Sequence, residues 1–106
     1  MANVLINAPK QVKKGEAFEV KTLVLHPMET GFRTGTNGQL IPRNIIEEFV
    51  ASFNGAEILR MKLSPAIAAN PFVVFHAAVQ ESGTLAFKWI GDEGFVLEQS
   101  HAIAVG

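Results

Sequence analysis

The sequence predicts an all-β domain, an immunoglobulin/fibronectin-III-like antiparallel β-sandwich of about seven strands. Short runs rich in β-branched and aromatic side chains alternate with period two, and Gly, Pro and Asn separate these runs. The chain has 106 residues, 48% of them hydrophobic. This composition favours one domain over residues 1–106, with a radius of gyration of about 13 Å.

The sequence of the first part of the chain predicts two strands. Val4–Ile6 forms the first strand, a turn follows at Val12–Gly15, and Glu16–His26 forms the second strand. Most of the second strand alternates between apolar and polar residues, but Leu23 and Leu25 make its outer face apolar near the end. We therefore expect another surface to cover this end of the strand.

The middle of the chain predicts a hairpin. Apolar residues in Asn44–Phe53 also fit the spacing of an amphipathic helix, but Asn54 and Gly55 are typical of a two-residue type I′ turn, and the extended run Ala56–Leu63 follows at once. Such a turn fixes the register. It pairs Phe53 with Ala56, Ala51 with Ile58, Phe49 with Arg60, and Glu47 with Lys62. Both faces of the hairpin carry apolar residues, which favours one face in the core and one against another surface.

Three further strands follow in the second half. They are Phe72–Val79, Thr84–Ile90 and, after a turn at Gly91–Gly94, a last strand that reaches Val105. One face of the first two strands is continuously apolar, and its residues are the predicted core: Val73, Phe75, Ala77, Val79, Leu85, Phe87 and Trp89.

Composition excludes several classes of partner and chemistry. Nine basic and ten acidic residues give a net charge of −1, without the run of like charges that would bind nucleic acid. No stretch approaches the about 20 apolar residues of a membrane span, and we expect no export signal in this chain. The absence of cysteine excludes disulfides and thiol chemistry on the chain itself. We expect no cofactor, no nucleic-acid partner and no membrane association.

No arrangement of side chains predicts an enzyme. His26, His76 and His101 lie on separate strands and lack the close spacing of a metal site. Ser82 lies in a turn without a nucleophile elbow. A hydrolase or metal enzyme that uses His26 with Glu29 stays open as an alternative, and so does a free-standing fibronectin-like binding module.

The longest irregular stretch is the loop Pro27–Arg43. Long loops in compact sandwiches more often serve a function than merely connect strands. Its basic residues, Arg33 and Arg43, are candidates for guiding anionic molecules.

An ordered set of segments resembles the SoxZ family. The segments are His26–Gly31, Ile41–Ile46, Asn54–Gly55, Pro65–Pro71, Glu81–Leu85 and Trp89–Asp92. The resemblance extends from about Val4 to Val105, and its specificity lies in the ordered set rather than in any single motif.

The resemblance implies a non-catalytic subunit of the periplasmic SoxYZ carrier complex of thiosulfate oxidation. In that family a cysteine of SoxY holds the sulfur intermediates covalently, and SoxZ pairs with SoxY as a heterodimer. The resemblance also implies export together with a signal-bearing partner and transient contacts with other sulfur-oxidation enzymes. The absence of thiols from this chain fits such a role, because a second thiol could attack the sulfur intermediates. A homodimer of the isolated chain is left open.

For such a partner we expect a face formed by the end of the second strand, the long loop and the hairpin. Its residues are Leu25, His26, Pro27, Met28, Ile41, Pro42, Arg43, Phe49, Arg60 and Phe72. Obligate interfaces typically bury an apolar patch with a polar rim. The alternative for Phe49 and Phe72 is that both belong to the core.

Overall fold

A computed structural model of the protein describes residues 4–26, 28, 31–32, 34–63 and 71–106. Within these ranges the chain forms eight strands and a single turn of 3₁₀ helix at Asp92–Gly94. The strands are β1 (Val4–Asn7), β2 (Gln11–Val12), β3 (Phe18–Val24), β4 (Ile46–Phe53), β5 (Ala56–Lys62), β6 (Phe72–Ala77), β7 (Gly83–Gly91) and β8 (Val96–Val105). The predicted all-β class is confirmed. The strand that the sequence did not predict is β2, which lies where the sequence predicts the start of a turn.

The strands form two sheets of unequal width. One sheet has the order β1-β3-β6, and the other has the order β2-β8-β7-β4-β5. Neighbouring strands are antiparallel except for β2, which runs parallel to the end of β8. The chain passes from the first sheet to the second between β1 and β2, where the Ala104 N–H donates to the Lys10 carbonyl at 2.9 Å. This crossing closes one side of the sandwich.

The core lies between the sheets and is centred on four aromatic rings. Phe75 comes from the three-stranded sheet, whereas Phe49, Phe87 and Trp89 come from the five-stranded one. The Phe49 ring centroid lies 5.2 Å from that of Trp89 and 6.2 Å from that of Phe75, and Phe75 lies 6.4 Å from Phe87. Burying one large apolar side chain contributes about 1.5–3 kcal/mol. These rings therefore supply a large share of the sandwich's stability.

The core prediction agrees with the observed burial. Five of the predicted residues are buried, namely Val73, Val79, Leu85, Phe87 and Trp89, and the other two, Phe75 and Ala77, are half-buried. Strict alternation along β7 explains this agreement, because successive side chains of a strand point to opposite faces.

The predicted hairpin is confirmed, but its register is correct only beside the turn. Asn54 and Gly55 have the positive φ values, 49° and 85°, that a type I′ turn requires. Phe53 pairs with Ala56 as predicted. A β-bulge at Ala51/Ser52 then shifts the pairing by one residue. The observed pairs beyond it are Ala51 with Leu59, Val50 with Arg60, Phe49 with Met61, and Glu48 with Lys62.

The molecule is longer than its composition predicts. The Cα radius of gyration is 16.1 Å and the longest dimension is 58 Å, against the about 13 Å expected for a compact domain of this size. A ten-residue strand such as β8 spans only about 34 Å. The expectation of a compact shape is therefore wrong. Among the residues described, no helix has the length and apolar character that crossing a membrane requires.

The Asn54 side chain stabilises the hairpin against β7, which a substitution can test. Its Oδ1 accepts a hydrogen bond from the Thr84 N–H at 2.9 Å, and its φ is positive. We expect Asn54→Ala to lower the free energy of unfolding by about 2 kcal/mol, because alanine lacks the acceptor and disfavours this conformation. Urea unfolding measures the loss. Asn54→Asp keeps an acceptor and tolerates the turn, so it should lose less than half as much, and equal losses would contradict this explanation.

Candidate partner-binding site

The outer side of the three-stranded sheet is apolar at one end. We call the side chains of Leu5, Leu23, Leu25, Phe72 and Val74 the apolar face. Leu5 and Phe72 are 63% and 61% exposed, Val74 and Leu25 are 42% and 41% exposed, and Leu23 is half-buried. Soluble proteins rarely leave several adjacent large apolar side chains this exposed without a binding role.

Strand pairing brings these side chains together. Leu5 of β1 lies opposite Leu23 of β3, and Leu23 lies opposite Phe72 of β6. The three side chains therefore form one row across the sheet, since directly paired residues share a face. Val74 is the next residue of β6 after Phe72 whose side chain points outward. Leu25 likewise comes two residues after Leu23 and points to the same side.

The other end of the same outer face is charged. Lys21 Nζ lies 3.3 Å from Glu19 Oε1, and His76 Nε2 lies 3.9 Å from Glu19 Oε2. All three side chains are exposed, so these contacts contribute little to stability. An apolar patch flanked by a polar border is the arrangement expected of a protein interface.

The long loop begins with two buried side chains. His26 Nδ1 accepts a hydrogen bond from the Met28 N–H at 3.0 Å, and Met28 Sδ accepts one from the Ile46 N–H at 3.2 Å. The His26 ring also packs edge-on against Phe95, with centroids 5.1 Å apart. Burial lowers the pKa of His26 below its ordinary value of 6.5, although a hydrogen bond with Asn44 and the charge of Asp92 oppose this shift. The start of the loop is thereby attached to the core.

The end of the loop is held by a cluster of charged groups. The Arg43 guanidinium donates from Nε and Nη2 to both carboxylate oxygens of Asp92, at 2.8 and 2.7 Å, and from Nη2 to Glu47 at 2.8 Å. The Asp92 carboxylate also accepts the Ile45 N–H at 3.2 Å. Arg43 holds the pKa of Asp92 below its ordinary value, and Asp92 in turn raises the pKa of Arg43. Arg43 therefore binds groups of its own chain.

Between these anchors the loop forms a short exposed hairpin. Thr34 and Leu40 form an antiparallel bridge, and the Gly35 N–H donates to the Gln39 carbonyl at 2.8 Å. Leu40 and Phe32 are among the most exposed large apolar side chains of the described residues. The loop thus presents apolar side chains while both of its ends are fixed to the sandwich.

The predicted partner residues divide into three groups in the structure. Exposed or half-buried are Leu25, Ile41, Pro42, Arg43, Arg60 and Phe72; buried in the chain itself are His26, Met28 and Phe49; Pro27 lies outside the described residues. Of the two hypotheses for Phe49 and Phe72, the core accounts for Phe49 but not for Phe72. A buried side chain can act on a partner only by supporting the surface above it.

Two residues of the apolar face belong to the predicted set, and three do not. Leu25 and Phe72 were predicted, whereas Leu5, Leu23 and Val74 were not included. Alternation in the first strand and in Phe72–Val79 does point Leu5 and Val74 away from the core. Only the pairing of β1, β3 and β6 shows that these outward positions are adjacent.

Arg60 lies apart from the apolar face. It is on β5, the edge strand of the five-stranded sheet, where its guanidinium forms ion pairs with Glu57 at 2.8 Å and with Glu48. The apolar face belongs to the other sheet and points to the opposite side of the sandwich. A single flat partner surface cannot contact both.

Side chains that could support catalysis are separated or engaged elsewhere. His101 Nε2 contacts the Pro9 carbonyl oxygen at 3.0 Å, and Ser82 Oγ accepts the Val105 N–H at 2.8 Å. In the described parts of the chain, no three His, Cys, Asp or Glu side chains are placed to hold one metal ion. The suggested pair of His26 with Glu29 cannot be placed, because Glu29 lies outside the described residues.

Comparison with protein families gives one match over nearly the whole chain. A family model described as sulphur oxidation protein SoxZ matches residues 6–102. Among curated proteins, no match was found.

Comparison with solved structures identifies proteins of the same fold. A superoxide reductase (neelaredoxin) from Ignicoccus hospitalis has a TM-score of 0.73 and 22% identity, covering 97% of this chain and 80% of that one. A putative superoxide reductase from Thermotoga maritima has a TM-score of 0.72 and 21% identity, covering 97% and 85%. The sulfur carrier protein SoxY from Chlorobium limicola f thiosulfatophilum has a TM-score of 0.68 and 12% identity, covering 97% and 78%. At these identities the likeness shows the fold alone.

The buried His26 predicts a pH dependence of stability. Its Nδ1 accepts a hydrogen bond, so protonation of the ring would remove that acceptor. Because the pKa is lowered in the folded chain, the unfolded chain binds more protons just below pH 6.5, and stability falls as the pH falls through that range. We expect the free energy of unfolding to fall as the pH is lowered through about 6.5, as measured by urea unfolding.

Two variants isolate the contribution of His26. His26→Asn supplies an acceptor that does not titrate, so the slope over this pH range should become smaller. His26→Gln also removes the titrating ring and should make the slope smaller in the same way. If His26→Asn retains the full slope, another group causes it.

Proposed function

The chain belongs to the family of the sulphur oxidation protein SoxZ, and we propose that it is the non-enzymatic companion of a SoxY-like sulfur carrier. Family membership and the fold shared with SoxY support a role in the Sox sulfur oxidation system. In this proposal the two chains form a heterodimer in the periplasm, which this chain reaches by export together with its partner. The sulfur-oxidation enzymes would then contact the heterodimer transiently.

The apolar face is the observation that carries this proposal. It offers a partner adjacent exposed side chains, among them Leu5 and Phe72, on the outer side of a sheet with a charged border. A SoxY-like partner has the same sandwich fold, and two sheets can pack face to face with interdigitating side chains, as the two layers of a sandwich do. A lasting interface of this kind is more apolar than the remaining surface.

Thiol chemistry indicates which of the two chains carries the sulfur. A sulfur intermediate that is held covalently needs a nucleophilic sulfur on the protein, and these 106 residues contain no cysteine. The partner must therefore provide the thiol. This chain would contribute a surface that positions the carrier, without a thiol that could exchange with the bound sulfur.

A substitution in the apolar face tests the interface. Phe72→Asp places a charge at the β6 end of the row formed with Leu23 and Leu5, which an apolar contact would have to desolvate. We expect the affinity for the SoxY-like partner to fall at least about 100-fold, measured by calorimetry or by co-purification at decreasing concentration. Substitution of Met28 would be a poor test, because Met28 is buried and its loss would disturb folding.

A matched control is available on the other sheet. Val96 of β8 is also an exposed large apolar residue, 55% exposed. Val96→Asp should leave the affinity within about twofold. Equal losses in the two variants, or none in either, would exclude the apolar face as the interface.

Mass spectrometry can test which of the two chains carries the sulfur. We expect the chain to co-purify with the SoxY-like partner, and after incubation with thiosulfate and the oxidising enzymes, sulfur adducts should appear on the partner alone. Intact-mass spectrometry of the separated chains measures this. A solitary chain that binds no SoxY-like protein would contradict the proposal and favour a free-standing binding module. Turnover of an ester or sulfur substrate by the purified chain would contradict its non-enzymatic role.

A further inference from the structure

One sheet has three strands and the other has five, so the wider sheet extends past the narrower one on one side of the sandwich. Phe75 of β6 packs against Phe49 of β4 and Phe87 of β7. The edge strand β6 therefore lies over β4 and β7. The next strand of the five-stranded sheet, β5, lies beyond β4 and extends past the edge of the three-stranded sheet.

The inner side of β5 is apolar. Leu59 and Met61 pair with the buried residues Ala51 and Phe49 and so point inward, yet both remain half-buried. The bulge residue Ile58 is 45% exposed. The three-stranded sheet has no fourth strand to cover these side chains, so they are partly exposed.

A cleft lies where that fourth strand would be. It has a volume of about 610 Å³ and is lined on one side by β5 and the hairpin turn, and on the other by the last three residues of β6, Phe75–Ala77, and the residues after them. Apolar side chains dominate its lining, including Phe53, Leu59 and Phe75, and Glu81 is its one acidic lining residue. With the usual strand rise, strand spacing and sheet separation, one strand residue in a sandwich occupies on the order of 160 Å³. The cleft therefore has room for about four residues of an extended segment.

The backbone of β6 is oriented to pair with such a segment. The Val24 N–H donates to the Pro71 carbonyl at 3.2 Å, which makes this a hydrogen-bonded pair of the β3–β6 ladder. Such pairs alternate along antiparallel strands, so Val73, Phe75 and Ala77 direct their N–H and C=O groups to β3. The N–H and C=O groups of Phe72, Val74 and His76 consequently point away from β3, toward the open edge.

The edge strands differ in how they are protected. β5 carries Glu57, Arg60 and Lys62, and charged side chains of this kind discourage pairing with another chain. β1 has only four residues and β2 only two. By contrast, β6 reads Phe-Val-Val-Phe-His-Ala, with no Lys, Arg, Glu, Asp or Pro. Of the described edge strands, β6 is the long, uncharged one.

The shape of the site selects a single segment rather than a second folded sandwich. A second copy that paired through its own β6 would bring its own β4 and β5 into the space that β5 already occupies. A lone strand meets no such obstacle. Strand addition to an open sheet edge is a common way to bind an extended segment.

Interface area also favours a contribution beyond the apolar face. Even at about 200 Å² for each fully exposed large side chain, the exposed parts of Leu5, Leu25, Phe72 and Val74 amount to about 400 Å². A stable interface needs about 800 Å² from each partner. The edge of β6 is continuous with the apolar face, because Phe72 and Val74 belong to both.

We propose that β6 accepts an extended segment of the SoxY-like partner as the fourth strand of the three-stranded sheet. Beside His76 the inward side chains of this segment are apolar and fill the cleft over Leu59 and Ile58. The segment then continues along β6 beyond the cleft, where its backbone pairs with Val74 and Phe72. A basic residue at one end of the segment would lie near Glu81. This inference rests on the proposed pairing with a SoxY-like protein.

Amide hydrogen exchange in the complex tests the proposal. The experiment compares the ¹⁵N-labelled chain alone with the same chain in complex with its SoxY-like partner. We expect the amides of Val74 and His76 to exchange at least about tenfold more slowly in the complex, because they gain hydrogen bonds to the added strand. The amides of Val73 and Phe75 already bond to β3 and should change much less.

Each other outcome has a distinct meaning. If the complex forms but Val74 and His76 exchange as before, strand addition is wrong while the proposed function stands. If no complex forms, the proposed function itself fails. If the same amides become protected in the chain alone as its concentration rises, the occupant is a second copy, and the proposal is overturned.

A pair of variants at one position gives a second test. Val74→Pro removes an N–H that points to the open edge and leaves the β3–β6 hydrogen bonds in place, which is where proline is tolerated in sheets. Val74→Thr has nearly the same shape and keeps the N–H. We expect the proline variant to bind the partner at least about tenfold more weakly than the threonine variant, with circular dichroism confirming the fold of both. Equal affinities of the two folded variants would overturn the proposal.

Discussion

The structure depends on the packing of Phe75 against Phe49 and Phe87 between two sheets of unequal width. This contact places the three-stranded sheet over the inner strands of the five-stranded one. It also determines what each surface can do. The narrow sheet presents its apolar face outward and its open edge sideways, and the wide sheet extends past that edge. The candidate interface and the cleft are therefore two consequences of one arrangement of the core.

The long loop is attached to the same core by two different kinds of contact. At its start, the buried side chains of His26 and Met28 each accept a hydrogen bond from a backbone N–H group. At its end, Arg43 and Asp92 form a bidentate ion pair that also receives a backbone N–H. Because both ends are fixed, the exposed hairpin around Leu40 keeps a defined place relative to the sandwich. Such an arrangement lets a loop contribute to recognition at little cost in conformational entropy.

Sequence reasoning succeeded where one local rule determines the structure. Alternation along Leu85, Phe87 and Trp89 predicted the core, and Asn54 with Gly55 predicted the hairpin turn. Beyond the turn, the register was wrong because a bulge places one extra residue in β5. Nothing in the alternation of hydrophobic residues marks a single inserted residue.

The burial of the predicted partner residues depends on tertiary contacts that the sequence does not reveal. Met28 lies in a stretch with the composition of a surface loop, yet its sulfur accepts a backbone N–H inside the core. Arg43 looked available to a partner, but it binds Asp92, which lies far along the sequence. The apolar face itself joins residues of three strands, so it exists only once the pairing of Leu5, Leu23 and Phe72 is known.

The uncharged edge of β6 also bears on how the protein has to be made. An edge without charges is a template on which identical strands can stack, and it lacks the gatekeeper residues that normally oppose aggregation. A cell that made this chain in excess would expose that template in every unpaired copy. On the proposed pairing with a SoxY-like protein, balanced synthesis of the two chains would serve solubility as much as stoichiometry.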